Sequence, residues 1–202
     1  PSLSFVYDDI TWGITGPLNG IRANANLLLS PPIPSVDFSF IAAEVDFRKY
    51  THIARRFVWA NRLACGASMP LKGGPSARKY LLGGNENQVP IWSADYELGN
   101  YLDNIDFLFY SEVITPLRGW NYFKFTGSRF AVLNSEFRFP FIKEVSVVWP
   151  LPFEIRYING AVFADIGNAW DPKDQMEHLP IPRTIYGGIG YGLRANLGIF
   201  VL

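Results

Sequence analysis

Between Arg129 and Phe139, apolar Leu133, Phe137 and Phe139 occupy one parity while Asn134, Glu136 and Arg138 occupy the other. This period of two, the signature of a strand with unlike faces, dominates the 202-residue chain, and runs at helical spacing are nearly absent. Ile21, Ala23, Ala25, Leu27 and Leu29 alternate with Arg22, Asn24 and Asn26, and Ile41, Ala43, Val45 and Phe47 with Glu44, Asp46 and Arg48. Phe57 to Ala67 repeats the pattern, with Arg56 and Arg62 on its polar side. Ile158, Val162, Ala164 and Ile166 oppose Tyr157, Asn159, Phe163, Asp165 and Gly167, and Ile185, Ile189, Tyr191, Leu193 and Leu197 oppose Gly188, Gly190, Gly192, Arg194 and Asn196. Most runs reach about 10 residues, enough for a tilted strand to cross a bilayer, whereas soluble strands average nearer 5–6. The fold class expected is therefore all-β, an antiparallel transmembrane β-barrel.

Composition narrows the alternatives. Charged residues are 18% of the chain and aromatics 16%, a charge-poor balance against the roughly 25% charged of soluble domains. No stretch approaches the ~18 uninterrupted apolar residues of a spanning helix. Eighteen basic residues match eighteen acidic ones, which gives no electrostatic reason to expect nucleic acid as a partner. Cys65 is the only cysteine, so neither an internal disulfide nor a zinc site on cysteine pairs is expected. The chain opens at Pro1 without an initiator Met or a secretion-signal pattern, as a processed chain or a piece of a longer one would.

Chemistry-bearing motifs are sparse. His52 and His178 read as turn residues with no metal-pair spacing, and Gly187 to Gly192 lacks the dinucleotide fingerprint and a following helix. Ser68, in Gly66-Ala67-Ser68-Met69-Pro70, lacks a nucleophile-elbow sequence. No catalytic residue, cofactor or metal is expected, and the chain does not read as an enzyme. Turns are predicted at Thr15-Gly16-Pro17-Leu18, Ser30-Pro31-Pro32-Ile33-Pro34 and His52-Ile53-Ala54, and Pro140 is predicted to end its strand. After Leu82-Gly83-Gly84-Asn85, residues 86–126 show weak alternation and many aromatics, a loop of a length usually kept for function. Trp59, Trp92, Trp149 and Trp170 are candidates for an interfacial aromatic belt.

That loop contains Arg118-Gly119-Trp120, followed by Leu133-Asn134-Ser135-Glu136-Phe137-Arg138-Phe139-Pro140, then Phe163-Ala164-Asp165-Ile166-Gly167, then Gly190-Tyr191-Gly192-Leu193-Arg194. In this order the segments resemble the C-terminal barrel of the bacterial outer-membrane assembly and translocation superfamily, the BamA and TamA type, also called the bacterial surface antigen family. The resemblance covers roughly residues 76–202, and more weakly the first 75, where Pro1 to Pro17 is similar to members with an upstream propeller domain. It implies a lid loop folded into the lumen, with Arg118 held by Asp165 and Glu136 and the inner wall marked by Phe163, Gly167, Gly190 and Gly192. Alternation independently puts Asp165 and Glu136 on the polar face, and inner-face glycines leave room for something to pack inside.

Family barrels are sixteen-stranded, whereas about nine strand candidates are found here and Leu202 falls mid-strand. Residues 1–202 are thus expected to form one barrel domain incomplete at both ends, the C-terminal part of a sixteen-stranded barrel or a smaller one. The family's periplasmic substrate-receiving domains are missing from these residues. The resemblance implies a bacterial outer-membrane location, outer-membrane lipid, client proteins and accessory subunits as partners, and non-enzymatic insertion or export through a labile seam. The rival readings are a passive outer-membrane pore or adhesin barrel, and a soluble lipocalin-like barrel binding an apolar ligand.

Overall fold

The structure, a computed structural model, describes residues 1–13, 16–32, 39–54, 56–71, 78–84, 111–114, 116–147, 153–172 and 184–196. Seven strands form a continuous wall: β1 (Ser2–Asp8), β3 (Gly16–Ser30), β4 (Phe40–Ala54), β5 (Phe57–Pro70), β9 (Arg129–Val147), β10 (Phe153–Trp170) and β11 (Tyr186–Asn196). They pair antiparallel in the order β1-β3-β4-β5-β9-β10-β11, and the short β2 (Thr11–Gly13) adds to β3. Among the described residues β1 and β11 are not paired with each other, so the sheet is open there. Between β5 and β9 the chain leaves the wall for a second sheet of β6 (Lys79–Leu82), β7 (Ser111–Ile114) and β8 (Phe125–Gly127), in which β6 runs parallel to β7 and antiparallel to β8.

The two faces of the wall differ as the alternation requires. Leu27, Val45, Leu63, Leu133, Val162, Ile166 and Leu193 are exposed, giving a broad outer face of aliphatic side chains. Asn134, Glu136 and Asp165, of the opposite parity, are buried. Such an outward apolar band with a polar interior suits a lipid-facing wall around an aqueous lumen. A lipocalin-like barrel would instead line its interior with apolar side chains around a ligand cavity.

The apolar core lies inside the wall, where the small sheet packs on it. Tyr80, Leu82, Ile114, Leu117 and Phe125 from the inserted segment meet Ala64, Phe130, Val132 and Ala169 from the wall. Tyr80, Leu82 and Leu117 have no solvent exposure. At the crossing of β8 over the end of β10, a Cβ on Gly127 would sit 2.2 Å from Trp170 backbone atoms. Only glycine permits that approach.

Several sequence expectations are corrected. Pro140 does not end its strand: β9 continues to Val147. The last β5 pairing is Val58 with Arg138, and the ladder to β10 shifts register where Asn159 meets Pro140, so the missing proline N–H falls at an irregularity with a free flank. His52-Ile53-Ala54 is not a turn but the end of β4, with Ala54 opposite Phe57. Arg56, expected on the polar face, lies in the turn and is exposed. Trp59 lies on the outer face, its Nε1 donating to Ser135 Oγ at 2.8 Å, and Trp170 ends β10. The loop from 86 to 126 contains β7 and the start of β8; residues 85–110 and 115, Trp92, Trp149, His178 and Leu202 lie outside the described residues.

The outer face makes a direct prediction. Val162→Arg, near the middle of β10, should lower folding stability in lipid vesicles by up to about 2–4 kcal/mol, the cost of a cation toward the bilayer midplane. Denaturant titration of vesicle-reconstituted protein measures it, and a silent substitution would place that face away from lipid.

Candidate functional site

The site is built where the inserted segment touches the polar wall. The segment turns at Gly83 and Gly84, both at positive φ, and Leu117 N donates to Gly84 O at 3.1 Å. This bond presents Arg118 to the wall, and Gly119, with φ of 91°, turns the chain immediately afterwards. A residue with a side chain would be strained at that angle.

Arg118 forks between two carboxylates. Its Nε and Nη2 donate to Asp165 Oδ2 and Oδ1 at 2.6 and 2.7 Å, its backbone N reaches Asp165 Oδ2 at 3.1 Å, and Nη1 donates to Glu136 Oε2 at 2.5 Å. The guanidinium also lies 3.6 Å from the centroid of the Phe163 ring, at cation–π distance. Burial alone would lower the pKa of Arg118, but the bonds to Asp165 and Glu136 outweigh it and raise the value, so the side chain stays cationic.

The two acids are not equivalent. The Asp165 side chain has no exposure, and Arg118 is its ion-pair partner among the described residues. Glu136 is also held by Arg138 Nε at 2.7 Å and Arg194 Nη2 at 2.8 Å. Loss of Arg118 would strip Asp165 of its counterion and leave Glu136 with two. Breaking a buried pair in this way typically costs about 3–5 kcal/mol, through the uncompensated charge left behind.

Glycines define the floor of the site. A Cβ on Gly188 would lie 2.0 Å from Arg118 O, so the loop backbone rests directly on β11. Gly190 makes space for the Phe163 ring, 2.6 Å from where its Cβ would be, and Gly167 lies against Ala131 O and Val132. Gly192 would meet nothing within 4 Å. Trp120 seals the edge: its Nε1 donates to Gly187 O at 3.0 Å, and its ring packs edge-on against Phe125 and Tyr186, both at 5.3 Å. The structure thus brings Arg118, Gly119, Trp120, Glu136, Phe163, Asp165 and the β11 glycines into one neighbourhood, with Gly167 in the same wall and Gly192 outside the contact.

Other anchors went unread in the sequence. Asn134 Nδ2 donates to Pro116 O at 2.9 Å, fixing the residues just before Arg118. Asp171 accepts from Lys79 Nζ at 2.6 Å and from Ser128 N at 2.8 Å, tying β6 and β8 to the end of β10. Burial alone would raise the Asp171 carboxyl, yet these donors hold it below the usual range. At the opposite side of the inserted sheet, Arg78 Nη2 lies 2.5 Å from Glu112 Oε2 and Nη1 3.4 Å from Glu44 Oε1, while Tyr80 OH donates to Glu44 at 3.0 Å. Burial, then the bond and the charge of Glu44, push Glu112 up to about 7.

A family model described as the Omp85 superfamily domain matches residues 2–202. No curated protein gives a match.

Two predictions follow from the contacts. Gly188→Ala should displace the Arg118 segment and expose it to limited proteolysis, whereas Gly192→Ala should leave the cleavage pattern unchanged; equal patterns would detach the loop from β11. The raised Glu112 pKa gives the second. A carboxyl shifted from 4.5 to about 7 favours the folded lid while protonated, so its contribution is full below about 4.5 and is lost as pH climbs to about 7. Protection factors of the β6 and β7 amides, with the base-catalysed intrinsic rate divided out, should therefore fall over that window and level off above it, and Glu112→Gln should flatten the change.

Proposed function

The chain belongs to the Omp85 superfamily, whose domains are outer-membrane barrels of protein assembly and translocation, and from that premise we propose that it forms the barrel of a factor that inserts or exports proteins through a labile seam, without covalent catalysis. The reading includes a bacterial outer-membrane location, lipid around the wall, client proteins at the seam and accessory subunits as partners, and a relationship to the BamA and TamA type. The observation that carries it is the Arg118 fork on Asp165 and Glu136, with Gly119, Trp120 and Gly188 fitted around it.

Physically, the proposal divides the barrel into a braced part and a movable one. The inserted sheet and Arg118 tie β9, β10 and β11 together from inside, through side-chain bonds as well as the strand ladders. The movable part is the labile seam itself. An exposed strand edge offers unpaired backbone groups to another strand, and a client strand can add there by β-augmentation. The brace keeps the lumen and the polar wall in shape while the edge exchanges partners.

Arg118→Ala should abolish or strongly reduce client insertion by the protein that carries this chain, in a reconstituted assay with a barrel client. Arg118→Lys should rescue poorly, since a single ammonium cannot make the planar two-sided fork. Wild-type insertion by Arg118→Ala, with the loop still protease-resistant, would refute the clamp as the functional element.

A further inference from the structure

A polar row interrupts the aliphatic outer wall. In cross-strand register Lys49 of β4 faces Asn61 of β5, and Asn61 faces Ser135 of β9. These residues share the parity of Val45, Leu63 and Leu133, which are exposed on the outer face. Trp59 and Phe137, the next pair of that parity toward the turn between β4 and β5, flank the row. Phe57 and Phe139 stack on either side of Phe137, with ring centroids 5.9 and 6.4 Å away, so aromatic rings border the row on its turn side.

The acceptors of the row are used within it. Trp59 Nε1 donates to Ser135 Oγ at 2.8 Å, and Ser135 Oγ donates in turn to Asn61 Oδ1 at 2.9 Å. Polar groups set against lipid must be satisfied internally in this way. What remains is donors. Asn61 Nδ2 and the exposed Lys49 ammonium have no partner among the described residues. Residues directly opposite each other in an antiparallel pair have Cβ atoms about 4.5–5.5 Å apart, so one oxyanion group can meet both.

The row also marks a depth. A lysine is costly at the middle of a lipid-facing band and nearly free at its edge, and tryptophan is enriched at that same edge. Lys49 and Trp59 together put this part of β4 and β5 where hydrocarbon gives way to headgroups. Barrel strands tilt by about 35–45°, so a register row does not stay at one depth and the level is not carried straight across to β10.

We infer that Lys49 and Asn61 form a seat on the outer wall for the phosphate of an anionic phospholipid. Such a phosphate brings acceptor oxygens and negative charge to a place where the chain presents donors and one positive charge. Charge-assisted bonds of this kind are roughly twice as strong as neutral ones. The lysine stem lies along apolar surface while its ammonium reaches the headgroup, and the indole of Trp59, fixed by Ser135, offers an apolar flank. The inference rests on the wall facing lipid, which belongs to the reading above, and is independent of the seam.

The test uses the full chain in phosphatidylcholine vesicles with a trace of spin-labelled phosphatidylglycerol or spin-labelled phosphatidylcholine. Electron spin resonance reads the share of each labelled lipid held motionally restricted on the protein. Phosphatidylglycerol should associate more strongly than phosphatidylcholine. Lys49→Gln, which removes an outer-face charge without breaking a bond of the row, should fold and lose most of that preference, a factor of up to about five for one lysine beside an anionic surface. Asn61→Asp keeps the acceptor for Ser135 but sets a carboxylate beside Lys49, and should lose as much. Lys143→Gln, which removes the same charge from another exposed position, should leave the preference nearly intact. No preference in the wild type, or equal losses from Lys49→Gln and Lys143→Gln, would overturn the seat. Failure to restrict either lipid would instead overturn the lipid-facing wall, which keeps the two failures apart.

Discussion

The buried ion pair of Arg118 with Asp165 fixes how the inserted segment sits against the wall. Asp165 has no exposure, so its charge is tolerable only with a cation against it. The cation arrives from a loop rather than from a neighbouring strand. Wall and loop are therefore conditional on each other: without the loop the wall holds an orphaned carboxylate, and without the wall the loop has no site for its arginine. The apolar contacts of Tyr80, Leu82 and Leu117 with Phe130 and Val132 supply the bulk of the burial, but they are non-directional. The fork fixes where the loop sits.

Around that pair the lumen is organised as a series of cross-strand rows. One runs from Asp8 through Arg22, Arg48, Arg62, Asn134 and Asp165 to Gly188, where the loop backbone comes down. Charges in such rows are close enough to compete for the same counterions, and Glu136 and Asp46 are each shared by more than one arginine. The polar interior thus acts as a network in which a change at one guanidinium redistributes the bonds of others. On the outer face the aliphatic side chains need only be apolar, and bonds such as Trp59 to Ser135 are between uncharged groups.

The wall was legible in the sequence because a strand between lipid and water writes its two faces as alternate letters. Leu133, Glu136, Val162 and Asp165 fall where that parity puts them, and Arg118-Gly119-Trp120 drew attention through a resemblance spanning several strands in order. The inserted sheet was not legible. β6, β7 and β8 have four, four and three residues, too few for a period to emerge, and their pairing brings together residues far apart in the chain. Pro140 misled because the rule against proline in strands assumes partners on both flanks, and the loss of the β5 neighbour beyond Arg138 is a property of the assembled sheet. Arg78, Glu44 and Glu112 could not be read as a group, since nothing in their spacing shows that β7 passes near β4.

The central claim is that Asp165, rather than Glu136, makes Arg118 indispensable, and a double-mutant cycle on folding stability tests it most directly. Arg118→Ala combined with Asp165→Asn should show a coupling of about 2–3 kcal/mol, the range of residues that act as a unit. The same cycle with Glu136→Gln should give a markedly smaller value, because Glu136 retains Arg138 and Arg194. Couplings near zero for both pairs, within about 0.5 kcal/mol, would contradict the account and make the fork incidental to a loop held by apolar packing alone.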